Sequence, residues 1–227
     1  PVDVRPTCDD ARNIASTCLI HQPGNQWNYS LGLDVLVAVI EEASGQPYVG
    51  FLQEAVLGPL GMNDTYFVVP EAARDRLVAV SEPGDQQGEW VAHKHHRYTT
   101  DYPLRPEWPL CNGGAGLTST ASDYAKFLQC YLDRGVADGT RLLAEATIDS
   151  AMSDQAPGLL EGAGWHQGLV CGVRTGGDAA GSFFWSGYFN TIHYADPETN
   201  TAVVLLKQTY DVRQDSSASA FAAMLWN

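Results

Sequence analysis

Apolar residues recur at helical spacing from Leu33 through Leu36, Val37, Ile40 and Ala43, and the run stops at Gly45. That period predicts an amphipathic helix with the glycine at its C′ position. Pro23-Gly24 is a turn signal ahead of it, so Tyr29 falls just before or at the first helical turn. A second helix is predicted over residues 48–57 and ends at Gly58-Pro59, because proline cannot continue it. Thr65-Tyr66-Phe67-Val68-Val69 is β-branched and aromatic, hence extended. Thr120-Ala121-Ser122-Asp123 has the form of a capping box with aspartate in place of glutamate, and opens a helix through Tyr124, Phe127, Leu128 and Tyr131 to Gly135. A short helix over residues 144–152 follows.

After Gly164 the texture changes to strands, predicted over residues 168–173, 182–188, 191–194 and 201–208 and separated by Gly, Asp-Pro and Asn signals. Residues 218–226 read as a terminal helix. Strands close in sequence and joined by short turns pair antiparallel. The fold class is therefore α+β, an antiparallel sheet flanked by helices, with a mostly helical region over about residues 20–160 and the sheet and last helix over about 164–227. Residues 81–109 are rich in Pro, Gly, Gln, His and aromatics without a sustained period, and read as a long surface segment with one short strand pair.

Composition narrows the partners. The 227 residues, 44% hydrophobic and 10% aromatic, suit a packed core rather than disorder. No apolar run reaches the roughly 18 residues of a membrane span, and no targeting signal is visible. A net charge of −14 repels nucleic acid and anionic membranes, so neither is an expected partner. Five cysteines, Cys8, Cys18, Cys111, Cys130 and Cys171, lack C-x-x-C spacing, and their odd number cannot close into a full disulfide set. Cys8 and Cys18 are the one plausible pair, against free and mostly buried thiols as the expectation.

The candidate chemistry lies in three blocks: Tyr29-Ser30-Leu31 at the mouth of the first apolar helix, Gly113-Gly114-Ala115-Gly116-Leu117, and Phe184-Trp185-Ser186-Gly187-Tyr188 in a strand. With Ile40-Glu-Glu-Ala-Ser-Gly45 and Pro59-Leu-Gly-Met-Asn-Asp-Thr65, these blocks resemble, in order and context, the serine β-lactamase-like hydrolases. That family comprises class C β-lactamases, D-alanyl-D-alanine peptidases and esterases. The likeness runs from about Ile20 to Leu225 and implies a β-lactamase/transpeptidase-like fold.

The resemblance also implies roles. Tyr29 matches the family's general base and acid, which deprotonates the nucleophile and protonates the leaving group. The backbone N–H of Tyr188 matches one oxyanion-hole donor, the other being the N–H of the nucleophilic serine. Leu31, Trp185, Ser186 and Gly187 fall at substrate-binding positions. The family's first element, a Ser-x-x-Lys pair, is missing. The three lysines, Lys94, Lys126 and Lys207, are preceded three positions earlier by Val91, Asp123 and Val204. A free tyrosine titrates near 10, so a tyrosine base at neutral pH must have its pKa lowered by about three, roughly 4 kcal/mol, by nearby cations. The family draws that charge from the missing lysine. The nucleophile is therefore expected on a segment upstream of Pro1, separate, removed or simply outside these residues.

Two departures bear on substrate. Leu31 replaces the asparagine that in the peptidases and β-lactamases bonds substrate amides, and Trp185 replaces the lysine or histidine that holds a substrate carboxylate. Losing a charge-assisted hydrogen bond costs about 1.5–3 kcal/mol. Both changes resemble the esterase branch. The expectation is a serine hydrolase acting through an acyl-enzyme on small neutral carboxylic esters, a small-molecule acyl substrate with no cofactor and no metal. A β-lactamase, D-amino-acid peptidase or acyltransferase of the same family is the nearest alternative, and a non-catalytic binding module the more distant one.

Other motifs carry less. The glycine block suits close backbone approach or positive φ, but no Gly-Lys-Ser/Thr follows it to make a phosphate loop. No Gly-x-Ser-x-Gly elbow is present. His93-Lys94-His95-His96 reads as solvated surface rather than a metal site. Of His21, His166 and His193, the last sits in an alternating strand and reads as packed or hydrogen-bonded.

Overall fold

The computed structural model describes residues 7–86, 88–93, 101–104, 113–210 and 216–225. The chain divides into two units, each assembled from separate stretches: Pro1–Arg76 with Asp101–Ser119, and Leu77–Thr100 with Thr120–Asn227.

The first unit is helical. Helices α1 (Thr7–Ala15), α2 (Gly32–Ser44) and α3 (Tyr48–Leu52) follow one another, and α3 runs into a π-helical turn, Gln53–Leu57. Helix α2 ends as its sequence predicts, with the Gly45 N–H donating to Glu41 O at 2.9 Å. The Glu41 side chain then accepts the Tyr48 N–H at 2.8 Å, satisfying one orphan donor at the start of α3. The predicted stop at Gly58-Pro59 is present, and the Gly58 N–H reaches back five residues to Gln53 O at 2.8 Å. Residues 65–69 form less than the predicted strand. Tyr66 and Thr118 exchange two backbone hydrogen bonds of 2.8 Å in an isolated antiparallel bridge, reinforced by Thr65 Oγ1 at 2.8 Å from Ser119 Oγ. Leu57, Leu60, Met62, Thr65 and Val69 are buried around this bridge and the preceding turn.

The second unit is built on an antiparallel sheet. Strands β1 (Ser81–Pro83) and β2 (Trp90–Ala92) form the hairpin predicted within residues 81–109. Helix α4 (Ala121–Leu132) starts at Thr120, whose Oγ1 accepts the Asp123 N–H at 3.2 Å. A hairpin not expected from the sequence, β3 (Val136–Ala137) and β4 (Thr140–Arg141), turns at Asp138-Gly139, both with positive φ, of 46° and 76°. Helix α5 is Glu145–Met152. The main sheet follows in chain order: β5 (Trp165–Gln167), β6 (Gly172–Arg174), β7 (Phe183–Ser186), β8 (Ile192–Asp196) and β9 (Thr201–Leu205). Helix α6 is Ser217–Leu225. The predicted strand over 168–173 is shorter because residues 168–171 close a turn, with the Gly168 N–H donating to Cys171 O at 2.8 Å. Strand β5, only three residues long, lies below the length at which alternation is legible.

Helix α4 packs on one face of this sheet. Leu128, Leu132, Cys171, Val173, Phe183 and Ala195 form the core, with Tyr124, Phe127, Tyr131 and Val204 packed around it. Every second residue of β7 and β8 points to that face, so Phe183 and Ala195, directly paired, meet Leu128 together. Cys130 and Cys171 are buried free thiols, as expected, while Cys18 is free and exposed rather than paired. Cys8 and Cys111 lie outside the side chains described. Among the described residues no helix is long and apolar enough to cross a membrane.

Leu128 is fully buried, so Leu128→Ala removes its contacts without a way to refill the space. Urea unfolding is expected to show a loss of about 2–5 kcal/mol at unchanged m-value, and a loss below about 1 kcal/mol would mean that the seam between α4 and the sheet is not the core.

Candidate active-site elements

In the first unit the glycine block seats on the helix that the tyrosine block leads into. Gly113 lies against the first turn of α2, where a methyl group would sit 2.1 Å from the Leu33 carbonyl oxygen and 3.0 Å from Val37 Cγ2. Only glycine allows that approach. Gly116 has a φ of 100°, the other property read from the sequence of this block. Asp34, in the first turn of α2, faces Gly114, and its Oδ1 is buried with no hydrogen-bond partner among the described residues. In the sequence Asp34 does not stand out as a site residue. An acidic residue in a helix's first turn is the available signal, and it points equally to favourable interaction with the helix dipole.

Tyr29 and Leu31 stand at the entrance to α2, Leu31 in the N-cap position, and both are open, at 71% and 58% exposed. Ser30 Oγ accepts the Gly32 N–H at 3.2 Å, so the cap hydrogen bond comes from the residue between them.

The third block is in the second unit. Trp185 and Ser186 are the last two residues of β7, paired with His193 and Ile192 of β8. The strand then turns: the Gly187 N–H donates to Thr191 O at 2.8 Å and the Asn190 N–H to Gly187 O at 3.0 Å, with Asn190 at a φ of 66°. A methyl group at Gly187 would lie 2.1 Å from Thr191 Oγ1. Asn190 is buried, and its Nδ2 donates to Thr209 Oγ1 at 3.4 Å. Tyr188 caps the turn and is 57% exposed. Trp185 is half-buried, edge-on to Trp165 at 6.3 Å.

Beneath this edge, His193 packs on Tyr124 at 5.0 Å. Burial holds the His193 imidazole down to about 4 and raises the Tyr124 phenol to about 12, so both stay neutral at neutral pH. The reading of His193 as a packed residue stands. The reading of His93 as solvated surface does not: its side chain is 2% exposed, and Nδ1 donates to the Glu82 carboxylate. A histidine run predicts a polar surface only when the chain around it is a free loop, and here β2 delivers His93 inward, with its N–H on Val80 O at 2.8 Å. Lys94, His95 and His96 lie outside the described residues.

The fold and the order of these blocks define the class, a β-lactamase/transpeptidase-like fold of helices and antiparallel sheet. The chain belongs to the Beta-lactamase family, whose model matches residues 5–223. It is 32% identical over 221 residues to Esterase EstB of Burkholderia gladioli, covering 88% of this chain and 54% of that protein. Protein Rv1367c of Mycobacterium tuberculosis is 28% identical over 225 residues, covering 91% of this chain and 55% of the relative. Among solved structures, "EstCE1, a hydrolase with promiscuous acyltransferase activity" superposes with a TM-score of 0.77 at 22% identity, over 92% of this chain and 58% of that one. The chain thus spans about half the length of the curated relatives it matches. The family's hydrolases and their kin include proteins named as esterase, carboxypeptidase and acyltransferase.

Two outcomes follow from this geometry. Gly187→Ala is expected to cost about 1–3 kcal/mol by overpacking, and adding Thr191→Ala to restore more than half of it, because the obstructing atom is a side-chain oxygen. A thermal-unfolding double-mutant cycle with no coupling would show that the turn accommodates a side chain by another route. The His193 imidazole binds its proton near 4 in the folded state against 6.5 when free. The unfolded chain therefore takes up a proton first as pH falls through 6.5, and stability should drop by up to about 1.4 kcal/mol per pH unit until about pH 4. Urea unfolding at pH 7 and pH 5 should show a smaller drop for His193→Gln, and equal drops would refute the assignment.

Proposed function

We propose that this chain is the part of a serine hydrolase that carries the tyrosine and Trp-Ser-Gly elements, and that the complete enzyme hydrolyses small neutral carboxylic esters through an acyl-enzyme. The observation that carries the reading is the turn at Gly187. It has a tight, side-chain-free geometry against Thr191, while the residue two positions earlier, Trp185, brings an indole where the resemblance implies a cation in peptidases and β-lactamases. Such a turn without the carboxylate-binding charge favours a substrate that has no carboxylate to bind.

In this reading the serine of a Ser-x-x-Lys pair attacks the ester carbonyl, and Tyr29 accepts its proton and returns it to the leaving alkoxide. The N–H of Tyr188, with that of the serine, stabilises the tetrahedral oxyanion. Water then attacks the acyl-enzyme, with the same groups in reversed roles. Leu31, Trp185, Ser186 and Gly187 are assigned to substrate binding by the resemblance, the first two as apolar positions.

The Ser-x-x-Lys pair is assigned to a further polypeptide segment, with which this chain would act as a partner. The exposure of Leu33, Leu36 and Val39 on α2, at 44%, 47% and 56%, supports such a covering segment, since a helix apolar on most sides is ordinarily packed on most sides. Acyl transfer to an alcohol instead of water is the second reading. Leu31 and Trp185 are as compatible with it, and the EstCE1 hydrolase is described as having that activity.

The test compares p-nitrophenyl butyrate with a chromogenic cephalosporin on the protein together with its Ser-x-x-Lys segment. Higher kcat/KM on the ester is expected, and faster cephalosporin turnover would reverse the assignment. Tyr29→Phe should lower ester kcat by about 100-fold or more, and unchanged turnover would remove Tyr29 from the mechanism. Failure of the parent protein to react with a fluorophosphonate would instead identify a non-catalytic binding module.

A further inference from the structure

The backbone that carries Tyr188 is fixed sideways by a second layer of structure with no part in the chemistry so far. The turn after Gly187 is tied to the continuation of β9, with the Thr209 N–H on Phe189 O at 3.2 Å and Asn190 Nδ2 on Thr209 Oγ1 at 3.4 Å. That continuation is tied in turn to β1, with the Ser81 N–H on Gln208 O at 2.8 Å and the Tyr210 N–H on Ser81 O at 2.7 Å. Rings repeat the same connection. Tyr188 lies 5.9 Å from Tyr210, and Tyr210 stacks on His93 at 4.6 Å with 30° between the planes. His93 ends the column, buried and held at Nδ1 by the Glu82 carboxylate.

A ring anchored at one nitrogen in a close-packed interior has one orientation. His93 therefore sets the plane of Tyr210, and Tyr210 sets the lateral position of the turn at residues 188–190. Stabilisation of an oxyanion by a backbone N–H is sensitive to displacements of a fraction of an ångström, whereas ground-state ester binding by apolar contacts is not. We infer that His93, held by Glu82 and acting through Tyr210, is a positioning residue for the Tyr188 backbone N–H, which tunes transition-state stabilisation rather than substrate binding. This rests on the reading of Tyr188 as an oxyanion donor.

The experiment uses the protein with its Ser-x-x-Lys segment and measures kcat, KM and inhibition by an alkylboronic acid, whose adduct with the serine is tetrahedral. His93→Phe, which keeps a ring but loses Glu82, and Tyr210→Leu, which loses the stack, should each lower kcat about 10- to 100-fold. KM should stay within about threefold, and boronate inhibition should weaken by the same factor as kcat/KM. Tyr210→Phe, which retains the stack, should stay within about twofold of the parent. Thermal unfolding establishes that each variant is folded, and Tyr210→Leu carries the test if His93→Phe does not fold. Parental kcat in a folded variant, or a loss confined to KM with boronate inhibition unchanged, would overturn the positioning role. Tyr188→Pro, which removes the N–H itself, separates the two layers: if it is folded and retains parental kcat, the oxyanion assignment falls, and this inference falls with it.

Discussion

At Gly113 and Gly187 the backbone passes so near its neighbours that a single methyl group would overlap them, in one case the Leu33 carbonyl and in the other Thr191 Oγ1. Much else in the two motif regions follows from that exclusion. Without a side chain at Gly113, the glycine block seats directly on the first turn of α2, the helix that Tyr29 and Leu31 lead into. Without one at Gly187, β7 can break from β8 in a turn closed by two short backbone hydrogen bonds. Close approach of this kind has an entropic cost, since glycine loses more freedom on folding than other residues. The cost is borne at two positions where backbone, not a side chain, makes the close contact.

The sheet of the second unit supplies the rigidity this turn needs. Leu128 and Ala195 are almost wholly buried, and Phe183 between them brings the first residue of β7 into the same core. The far end of β7 therefore emerges from a strand whose near end is fixed by packing. His193 and Tyr124 extend that core toward Trp185 at a cost in desolvation, visible in an imidazole held near 4 and a phenol raised to about 12. Neutral groups packed ring to ring keep the interior dry without introducing a charge that would demand a partner.

The elements with long hydrophobic periods were legible from sequence: α2 with Gly45 as its stop, the break at Gly58-Pro59, the Thr120 cap and the last four strands of the sheet in antiparallel order. What escaped was short or set by tertiary contacts. Strand β5 has three residues, and the β3–β4 hairpin announces itself only through Asp138-Gly139. The extended stretch at 65–69 had the right composition, but among its described residues only Tyr66 pairs as a β-bridge, because strand propensity cannot supply a neighbouring edge. Of the candidate site, the residue types and their order were readable, and so was the need for glycine. The inward turn of His93 was not, because nothing in a His-Lys-His-His run says which side chain will meet a carboxylate eleven residues earlier.

On the proposed reading, substrate choice turns on an exchange of polar for apolar groups at two points rather than on either alone. An asparagine donor and acceptor and a cation together recognise an amide with a nearby carboxylate, and a protein retaining one of them would still discriminate in favour of such a substrate. Leu31 and Trp185 remove both. A buried polar substrate group left unpaired costs more than an apolar contact gains, so in the proposed enzyme the pair of replacements would disfavour peptides and β-lactams more strongly than it favours esters. The net charge of −14 on these residues acts in the same direction at longer range, disfavouring the approach of anionic molecules. In the proposed enzyme selectivity would then be chiefly a matter of what the apolar positions refuse.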